Sequence, residues 1–427
     1  MEKYTGSEYC TKPSCMAQTW MCFNILMKFE RQLKRIIIKN GLLLLIVALA
    51  SVSSCKVGKD APVLSTTIRV NESNNQAVKL SDIFDSISYV PLETNEESIL
   101  PSFGRIINVD GYFFIRGHNK VLYIFKDNGD FLTKIDNIGK GPNEMLNPST
   151  LKIINHQIFW LDVGTNQMFI YDFEGNFQYK FKTLGGESFE IVSENILLFY
   201  NHLYPYNDIQ LLGKGSSNLV AIDKDYNVIN KSFTYKERPD YLSSITGTAL
   251  FKDADGEISF IPNYSSDIYN INKNLEITKK YSVEFNRNAG DEVFNKFSDY
   301  NKLRYYLKSN KYPFFIQSYL ETKSLVYFIF LYTKSYQTVI QTKKNGEVFN
   351  VREKEFVNDL NGMSFGRICG TFDHGLLGSI QALEFKNYTK TQIENSSIIH
   401  PNSDITTIER SLKKMDNPII ALYYAKK

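Results

Sequence analysis

A repeated strand–turn–strand unit constrains the fold of this chain more than any other feature. The copies are Ile124–Phe131 (IFKDNGDF), Ile170–Phe177 (IYDFEGNF), Ala221–Val228 (AIDKDYNV) and Ile268–Leu275 (IYNINKNL), which start 46, 51 and 47 residues apart. Each copy has strand-forming residues on both sides of a polar turn. A period of roughly 40–50 residues built from strands is typical of β-propeller blades. The repeat therefore predicts an all-β propeller.

The strand signals group into six four-stranded antiparallel blades. Hairpin turns such as Asp110-Gly111 and Asn128-Gly129, which we expect to be type I′, separate the strands. The sixth blade combines three C-terminal strands with one from the other end of the domain: Gly366–Phe372, Leu376–Phe385, Asn417–Tyr424 and Ile83–Leu92. Closure by this N-terminal strand removes the open sheet edges. The prediction is a six-bladed β-propeller with short helical insertions.

The long connections of this propeller are expected on one face. Within a blade, the turns between the first and second strands and between the third and fourth strands are nearly all tight. The long connections either link consecutive blades (138–150 and 286–313) or join the second strand of a blade to its third (202–217 and 386–415). Two of them contain apolar residues at helical spacing, from Val293 to Leu307 and from Ile405 to Leu412. These helices either pack onto the propeller or act as a cover or as partner-binding helices. We call this side the insertion-rich face.

The N-terminal region has the features of a bacterial lipoprotein signal over residues 27–55. Basic residues precede the apolar run Gly41–Ala50, which is shorter than the ~20 residues of a membrane span. The following Val52-Ser53-Ser54-Cys55 resembles a lipobox, so we predict that Cys55 is lipidated and anchors the protein to a membrane. Residues 1–26 are interpreted as an upstream extension, 56–79 as a flexible tether and 80–427 as the propeller.

Charge and cysteine content restrict the function classes. Seven of the 49 Lys and Arg and three of the 46 Asp and Glu lie in residues 1–55, so the remainder has a net charge near −1. Nucleic-acid binders concentrate positive charge, so no nucleic-acid partner is expected. Cys369 is the only thiol after Cys55, which excludes a disulfide framework and a cysteine metal site within the propeller. We expect a monomer without metal or cofactor.

Four motifs in order suggest a family: Val90-Pro91-Leu92-Glu93-Thr94, Asp110-Gly111-Tyr112-Phe113-Phe114-Ile115, Gly139-Lys140-Gly141-Pro142-Asn143-Glu144 and Asn417-Pro418-Ile419-Ile420. Over about residues 80–427 the chain resembles the six-bladed β-propeller lipoproteins of Bacteroidota, a family of largely unknown function. The resemblance implies a secreted, NHL-like propeller and no established reaction. The chain departs from the family pattern at Arg116, where an acidic residue is usual, and at Asn143, where Gly is usual.

Candidate binding residues come from three kinds of pattern. Arg105 and Arg116 flank the inner strands of the first blade and suit carboxylates. Four more come from loops near the channel. They are the histidines His118 and His202 and, in the loop that also carries His202, Tyr204 and Tyr206, which can stack on sugars or peptides. The last two are Lys140 and Glu144. They lie in a Gly- and Pro-containing link without the full phosphate-loop pattern, where Glu144 can instead bond backbone amides.

No catalytic motif is visible in the sequence. No His pair has the spacing of a helical metal site, and no nucleophile–base pair stands out. The first hypothesis is a lipid-anchored envelope propeller, facing the periplasm or the outer-membrane surface. It would bind or scaffold a glycan, peptide or envelope protein through its insertion-rich face, without catalysis. The alternative is a metal-dependent hydrolase, lactonase or lyase with its site at the channel mouth.

Overall fold

The computed structural model describes residues 66–427 except 75, 185, 187, 201–216, 235–248, 254–255, 263–264, 298, 334, 353–354 and 395–403. Six antiparallel sheets form the blades of a β-propeller, as the repeat predicts. Each blade buries its apolar faces against the next blade, so the core consists of layers between blades. No described helix has the length and apolar character needed to cross a membrane.

The first half of the chain supplies three leading strands and three blades. The leading strands are β1 (Thr66–Val70), β2 (Val78–Lys79) and β3 (Phe84–Pro91). Blade 1 contains β4 (Phe103–Val109), β5 (Tyr112–Gly117), β6 (Leu122–Lys126) and β7 (Phe131–Ile135). Blade 2 contains β8 (Pro148–Ile154), β9 (Gln157–Asp162), β10 (Gln167–Tyr171) and β11 (Phe177–Lys182). Blade 3 contains β12 (Ser188–Ser193), β13 (Ile196–Tyr200), β14 (Ser217–Asp223) and β15 (Val228–Thr234).

The second half supplies the other three blades and the helices. Blade 4 contains β16 (Leu250–Lys252), β17 (Ile258–Phe260), β18 (Asp267–Ile271) and β19 (Ile277–Phe285). Blade 5 contains β20 (Phe314–Glu321), β21 (Leu325–Tyr332), β22 (Ser335–Thr342) and β23 (Val348–Val351), and the short β24 (Phe356–Val357) follows it. Blade 6 contains β25 (Arg367–Phe372), β26 (Gly375–Ile380), β27 (Ile419–Ala425) and the leading strand β3. The helices are α1 (Asp291–Asn295), α2 (Tyr300–Ser309), α3 (Ala382–Glu394) and α4 (Asp404–Ser411).

The two hairpin turns predicted in blade 1 differ in type. Asp110 and Gly111 have φ of 51° and 83°, so both central residues are left-handed and the type I′ prediction is confirmed. At the other turn only Gly129, with φ of 95°, is left-handed. The strand register also shifts between Ile124 and Phe125, which marks a bulge. The type I′ prediction for Asn128-Gly129 is therefore wrong, because a bulged turn needs one left-handed residue and not two.

In the structure, the turn of the fourth repeat copy begins two residues later than the sequence alignment of the copies places it. Asp172 accepts a hydrogen bond from the backbone N of Asn176 at 2.8 Å, and Asp223 accepts one from that of Asn227 at 2.8 Å. The equivalent acceptor in blade 4 is the side chain of Asn272, whose Oδ1 accepts a hydrogen bond from the backbone N of Glu276 at 3.0 Å. The turn chemistry rather than the apolar pattern thus fixes the true alignment, because the side-chain acceptor must precede the turn.

The sixth blade closes the ring as predicted. β3 pairs with β27 in antiparallel register from Pro91 opposite Ile419 to Phe84 opposite Ala425. The buried Asn417 side chain donates to the carbonyls of Glu93 (2.7 Å) and Ser98 (2.8 Å) and accepts from the N of Leu100 (2.8 Å). The Asn-Pro motif therefore fastens the link from blade 6 to blade 1.

The predicted flexible tether is wrong over residues 66–79. β1 pairs in parallel with β19 as a fifth strand of blade 4, and β2 pairs in parallel with β24. Ile68 and Val70 are buried between these strands and blade 5, so apolar burial holds the segment. Residues 56–65 lie outside the described residues.

The helical insertions occur where the spacing predicts them. Val293, Leu303 and Leu307 are buried against Phe314 and Leu331 of blade 5. Ile405 and Leu412 join the core beside blade 6. Both helical insertions thus pack onto the propeller.

The second strand of blade 6 is shorter than predicted. β26 ends at Ile380, and Ala382 begins α3. Ala382, Phe385 and Thr389 are all buried, at the spacing of one helix face. The predicted strand Leu376–Phe385 is therefore wrong after Ile380, because a run of apolar residues alone does not separate a strand end from a helix start.

Candidate functional site

The first strands of all six blades surround a cavity of about 430 Å³ in the central channel. Its wall includes the C-terminal ends of these strands, such as Val109, Ile154 and Asp253, so it lies toward the face with the tight turns. We call it the turn-side cavity. This volume is within the range of small-molecule sites, about 300–1,000 Å³.

Charged side chains on the inner strands of blades 2 to 4 line this cavity. Lys152 forms an ion pair with Glu190, which is 2% exposed. Lys252 donates to the carbonyl of Ile191 at 2.7 Å, and no described carboxylate lies within ion-pair distance of it. The inner strands of blades 2 to 4 therefore contribute to this wall a neutralised pair and one cation without a described carboxylate partner.

Glu321, at the end of β20, is the best-partnered charge of the channel. Its carboxylate accepts from Lys280 (2.8 Å), Lys343 (2.6 Å), Tyr281 (3.1 Å) and Tyr319 (2.5 Å). These donors come from blades 4 and 5, so the carboxylate joins the two blades. Its side chain is 1% exposed, and paired ionic contacts are what make such burial tolerable.

The surroundings of Glu321 keep it ionised. Burial by itself raises the pKa of this carboxyl, but the ammonium groups of Lys280 and Lys343 outweigh burial and lower the pKa from 4.5 to about 2. The same burial raises the pKa of the neighbouring Tyr319 hydroxyl far above its ordinary value. At neutral pH the cluster therefore contains an anionic Glu321 and neutral tyrosines.

Arg105, on β4, lies deeper in the channel. Its Nη2 donates to the carbonyl of Tyr319 at 2.8 Å, and its guanidinium carbon lies 4.4 Å from the centre of the Phe251 ring. Burial lowers the pKa of Arg105 to about 10, opposed by the negative charge of Glu190, so the group stays charged at pH 7. No described carboxylate lies within ion-pair distance. A guanidinium has five N–H donors, and most of those on Arg105 remain available to a ligand.

A second cavity of about 520 Å³ adjoins Arg105 on its other side. Most of its wall comes from blades 5 and 6, including Ile329, Tyr336, Phe365 and Arg367. Tyr336 is the second residue of β22, just after the loop between the second and third strands, so this cavity lies toward the insertion-rich face. We call it the insertion-side cavity. Three residues line both cavities and separate them: Arg105, Phe251 and Leu320.

Arg105 is the one predicted site residue of the described chain that lines either cavity. Arg116 instead donates to the carbonyl of Pro148 at 2.9 Å and connects blade 1 to blade 2, and burial lowers its pKa. His118 is exposed, with its Nδ1 3.0 Å from the Ser102 hydroxyl. The structure does not bring these two residues to Arg105.

The Gly139–Glu144 link folds as a backbone turn. The Glu144 carboxylate accepts from the N of Gly141 at 2.7 Å, and a Cβ at Gly139 would meet that carboxylate at 2.0 Å. Lys140 is exposed beside it. His202, Tyr204 and Tyr206, and the lipidation candidate Cys55, lie outside the described residues.

The sequence interpretation missed most of the channel charges. Lys152 and Glu190 each stand between apolar residues of an inner strand, as in Phe189-Glu190-Ile191, and Glu321 follows Leu320 at the end of one. An ionisable residue inside the first strand of successive blades is the signal that would have found them. The metal-dependent alternative stays a prediction; among the described residues no three His, Cys, Asp or Glu side chains are grouped so as to hold a metal ion.

Comparisons with known proteins agree with the fold. A family model described as Domain of unknown function (DUF4934) matches residues 65–424. A Bacteroides fragilis structure described as a "Putative exported protein" is 18% identical, with TM-score 0.70, covering 85% of this chain and all of that one. A DUF4221 member from Bacteroides vulgatus is 11% identical, with TM-score 0.51, covering 81% of this chain and 98% of that one. No curated protein matches. The family match and these two structures agree with the predicted propeller fold, and the assignment to Bacteroidota lipoproteins stays a prediction.

Proposed function

The chain belongs to the DUF4934 family, and we propose that it is an exported binding propeller whose ligand carries an anionic group held by Arg105 in the central channel. The observation that carries the proposal is the state of this guanidinium. It is fixed by the Tyr319 carbonyl and the Phe251 ring, it faces a cavity on each side, and no described carboxylate neutralises it.

The charge balance around Arg105 supports an anion. The carboxylates of Glu190 and Glu321 are already paired with lysines, whereas Arg105 and Lys252 have no such partner among the described residues. A ligand anion would therefore add a favourable interaction without displacing an existing one. Bidentate binding of a carboxylate or phosphate is the geometry that a fixed guanidinium favours.

The location of this function is also a proposal. The lipobox-like Val52-Ser53-Ser54-Cys55 and the exported-protein description of the Bacteroides fragilis relative support export and anchoring at the cell envelope. The ligand would then be a glycan acid, an acidic peptide or a small metabolite of that compartment. Cys55→Ala should release the protein from the membrane fraction, and a variant that stays membrane-bound would refute the anchor.

The binding proposal is tested with ligand pairs that differ only in charge. Calorimetric titration of the full-length protein with benzoate and benzamide, and with galacturonate and galactose, would compare each acid with its neutral counterpart. We expect an acid of at least one pair to bind about tenfold or more tighter than its counterpart, and Arg105→Gln to abolish that preference. Equal binding of acid and neutral partner, or binding of neither in both pairs, would count against the proposal.

Arg116→Gln is the matched control. Arg116 is also half-buried and also donates to a single backbone carbonyl, but it lines neither cavity. A general effect of removing a buried guanidinium would appear in both variants. Loss of acid preference in Arg105→Gln alone would assign the effect to the channel.

A further inference from the structure

We infer that the ligand is an amphipathic organic acid, whose carboxylate lies on Arg105 and whose apolar or aromatic body fills the insertion-side cavity. This inference rests on the proposed function, because it uses the same anion site. It adds the chemical class of the rest of the ligand and the direction in which the ligand extends.

The wall of the insertion-side cavity mixes polar residues with aliphatic and aromatic ones, and the latter can pack against an apolar body. Ile329 and Phe365 are half-buried in its wall, and the ring of Tyr336, which is 52% exposed, stands at its edge. Aromatic and aliphatic walls with a few polar groups are typical of small-molecule sites. The turn-side cavity, by contrast, contains the Lys152–Glu190 pair and Glu321, which an apolar body would have to desolvate.

The thiol in this wall behaves as an apolar group. Cys369 is buried, and its Sγ lies 3.6 Å from the carbonyl oxygen of Leu377. Burial raises the pKa of this thiol to about 12, so it is uncharged at neutral pH. It therefore adds no charge that would repel a carboxylate or attract a cation.

A second cation lines the same cavity. Arg367 donates to the carbonyl of Phe103 at 2.5 Å, and its guanidinium lies 5.7 Å from the centre of the Phe103 ring. Its side chain is exposed, and no described carboxylate pairs with it. The cavity thus has a cation at its inner end, Arg105, a second one in its wall, and no paired acid.

A homologous series of straight-chain acids tests the inference. Acetate, hexanoate and decanoate would be titrated into the full-length protein, with hexanol as the neutral control. We expect affinity to rise up to about fourfold for each buried methylene until the cavity is full. Arg105→Gln should weaken every acid, whereas Ile329→Trp, which fills the cavity, should weaken decanoate about tenfold or more and leave acetate unchanged.

Ile229→Trp is the control for the added indole. Ile229 lies on β15, is 44% exposed and lines neither cavity, so this variant should bind the whole series as the wild type does. If acetate and decanoate bind equally, and both need Arg105, the anion site stands and the amphipathic ligand is refuted. If none of the acids binds, the amphipathic ligand is refuted, whereas hexanol binding as well as hexanoate would count against both proposals.

Discussion

At the turn-side end of the channel, two lysines and two tyrosines enclose the carboxylate of Glu321. At the insertion-side end, by contrast, the only described partners of Arg105 and Arg367 are backbone carbonyls and aromatic rings. Both arrangements place charges along the channel of the propeller, but they have different consequences. A charge enclosed by opposite charges fixes the blades around it, and a charge without an ionic partner can bind a ligand. We therefore assign stability to the first group and binding to the second.

The largest expected effect is a loss of protein stability when the cluster of Glu321, its lysines and its tyrosines is broken. Glu321→Gln would leave the partly buried Lys343 without its counter-charge and the partly buried Lys280 with Asp253 alone, and breaking a buried ion pair costs about 3–5 kcal/mol of the free energy of unfolding. Chemical denaturation monitored by circular dichroism measures this cost. Glu284→Gln is the control, because its pair with Arg69 is exposed and should contribute less than about 1 kcal/mol. Equal losses of stability in the two variants would show that the Glu321 cluster stabilises the protein no more than an exposed ion pair does.

A somewhat smaller loss of stability is expected when the pH is lowered, because Glu321 then becomes protonated. The pKa of Glu321 is about 2 in the folded state and 4.5 when unperturbed, so the unfolded chain binds the proton first as pH falls. The stabilisation, on the order of 3 kcal/mol, is complete above pH 4.5 and is lost as pH falls toward 2. The difference in the free energy of unfolding between the wild type and Glu321→Gln, measured from pH 7 to pH 2, should therefore decrease across this window. A constant difference would contradict the assignment.

Removing the inner guanidinium should change binding more than stability. Arg105→Gln loses a charge-assisted contact worth about 1.5–3 kcal/mol, which corresponds to roughly 10- to 100-fold in the affinity of an acid. The fold loses one hydrogen bond and one cation–π contact, about 1–2 kcal/mol in total. Titration and denaturation of the same sample separate the two quantities. A loss of stability as large as that of Glu321→Gln would make Arg105 a structural residue instead.

The smallest effect is expected at the second guanidinium. Arg367→Gln should weaken an acid by about two- to fivefold, since this side chain is exposed and water screens its charge. Raising the salt concentration should reduce that difference further. If Arg367→Gln were as damaging as Arg105→Gln, the carboxylate would lie between the two groups rather than on Arg105.

The fold was more predictable than the site. The repeat, the turn residues and the motif at Asn417 predicted six blades and their closure, because strand periodicity and turn chemistry are local properties of the sequence. The leading strand β1 was missed, since its pairing partner β19 lies more than 200 residues away. The strand end at Ile380 was missed because apolar burial is required of both the strand and the helix that follows.

Of the site, the sequence predicted Arg105 and its suitability for carboxylates. It also grouped Arg105 with Arg116, and the two residues have the same chemistry in the sequence. Their difference arises in three dimensions, because Arg116 is held beside Pro148 between two blades whereas Arg105 faces the channel.

The sequence by itself thus determined the blades, their order and the stock of charges on their inner strands. Only the tertiary structure decided which charges are neutralised, since Glu321 of blade 5 meets Lys280 of blade 4 when these two blades pack together. The physical reason is that a charge in a protein interior depends on its nearest few ångströms, and in a propeller those neighbours come from different blades.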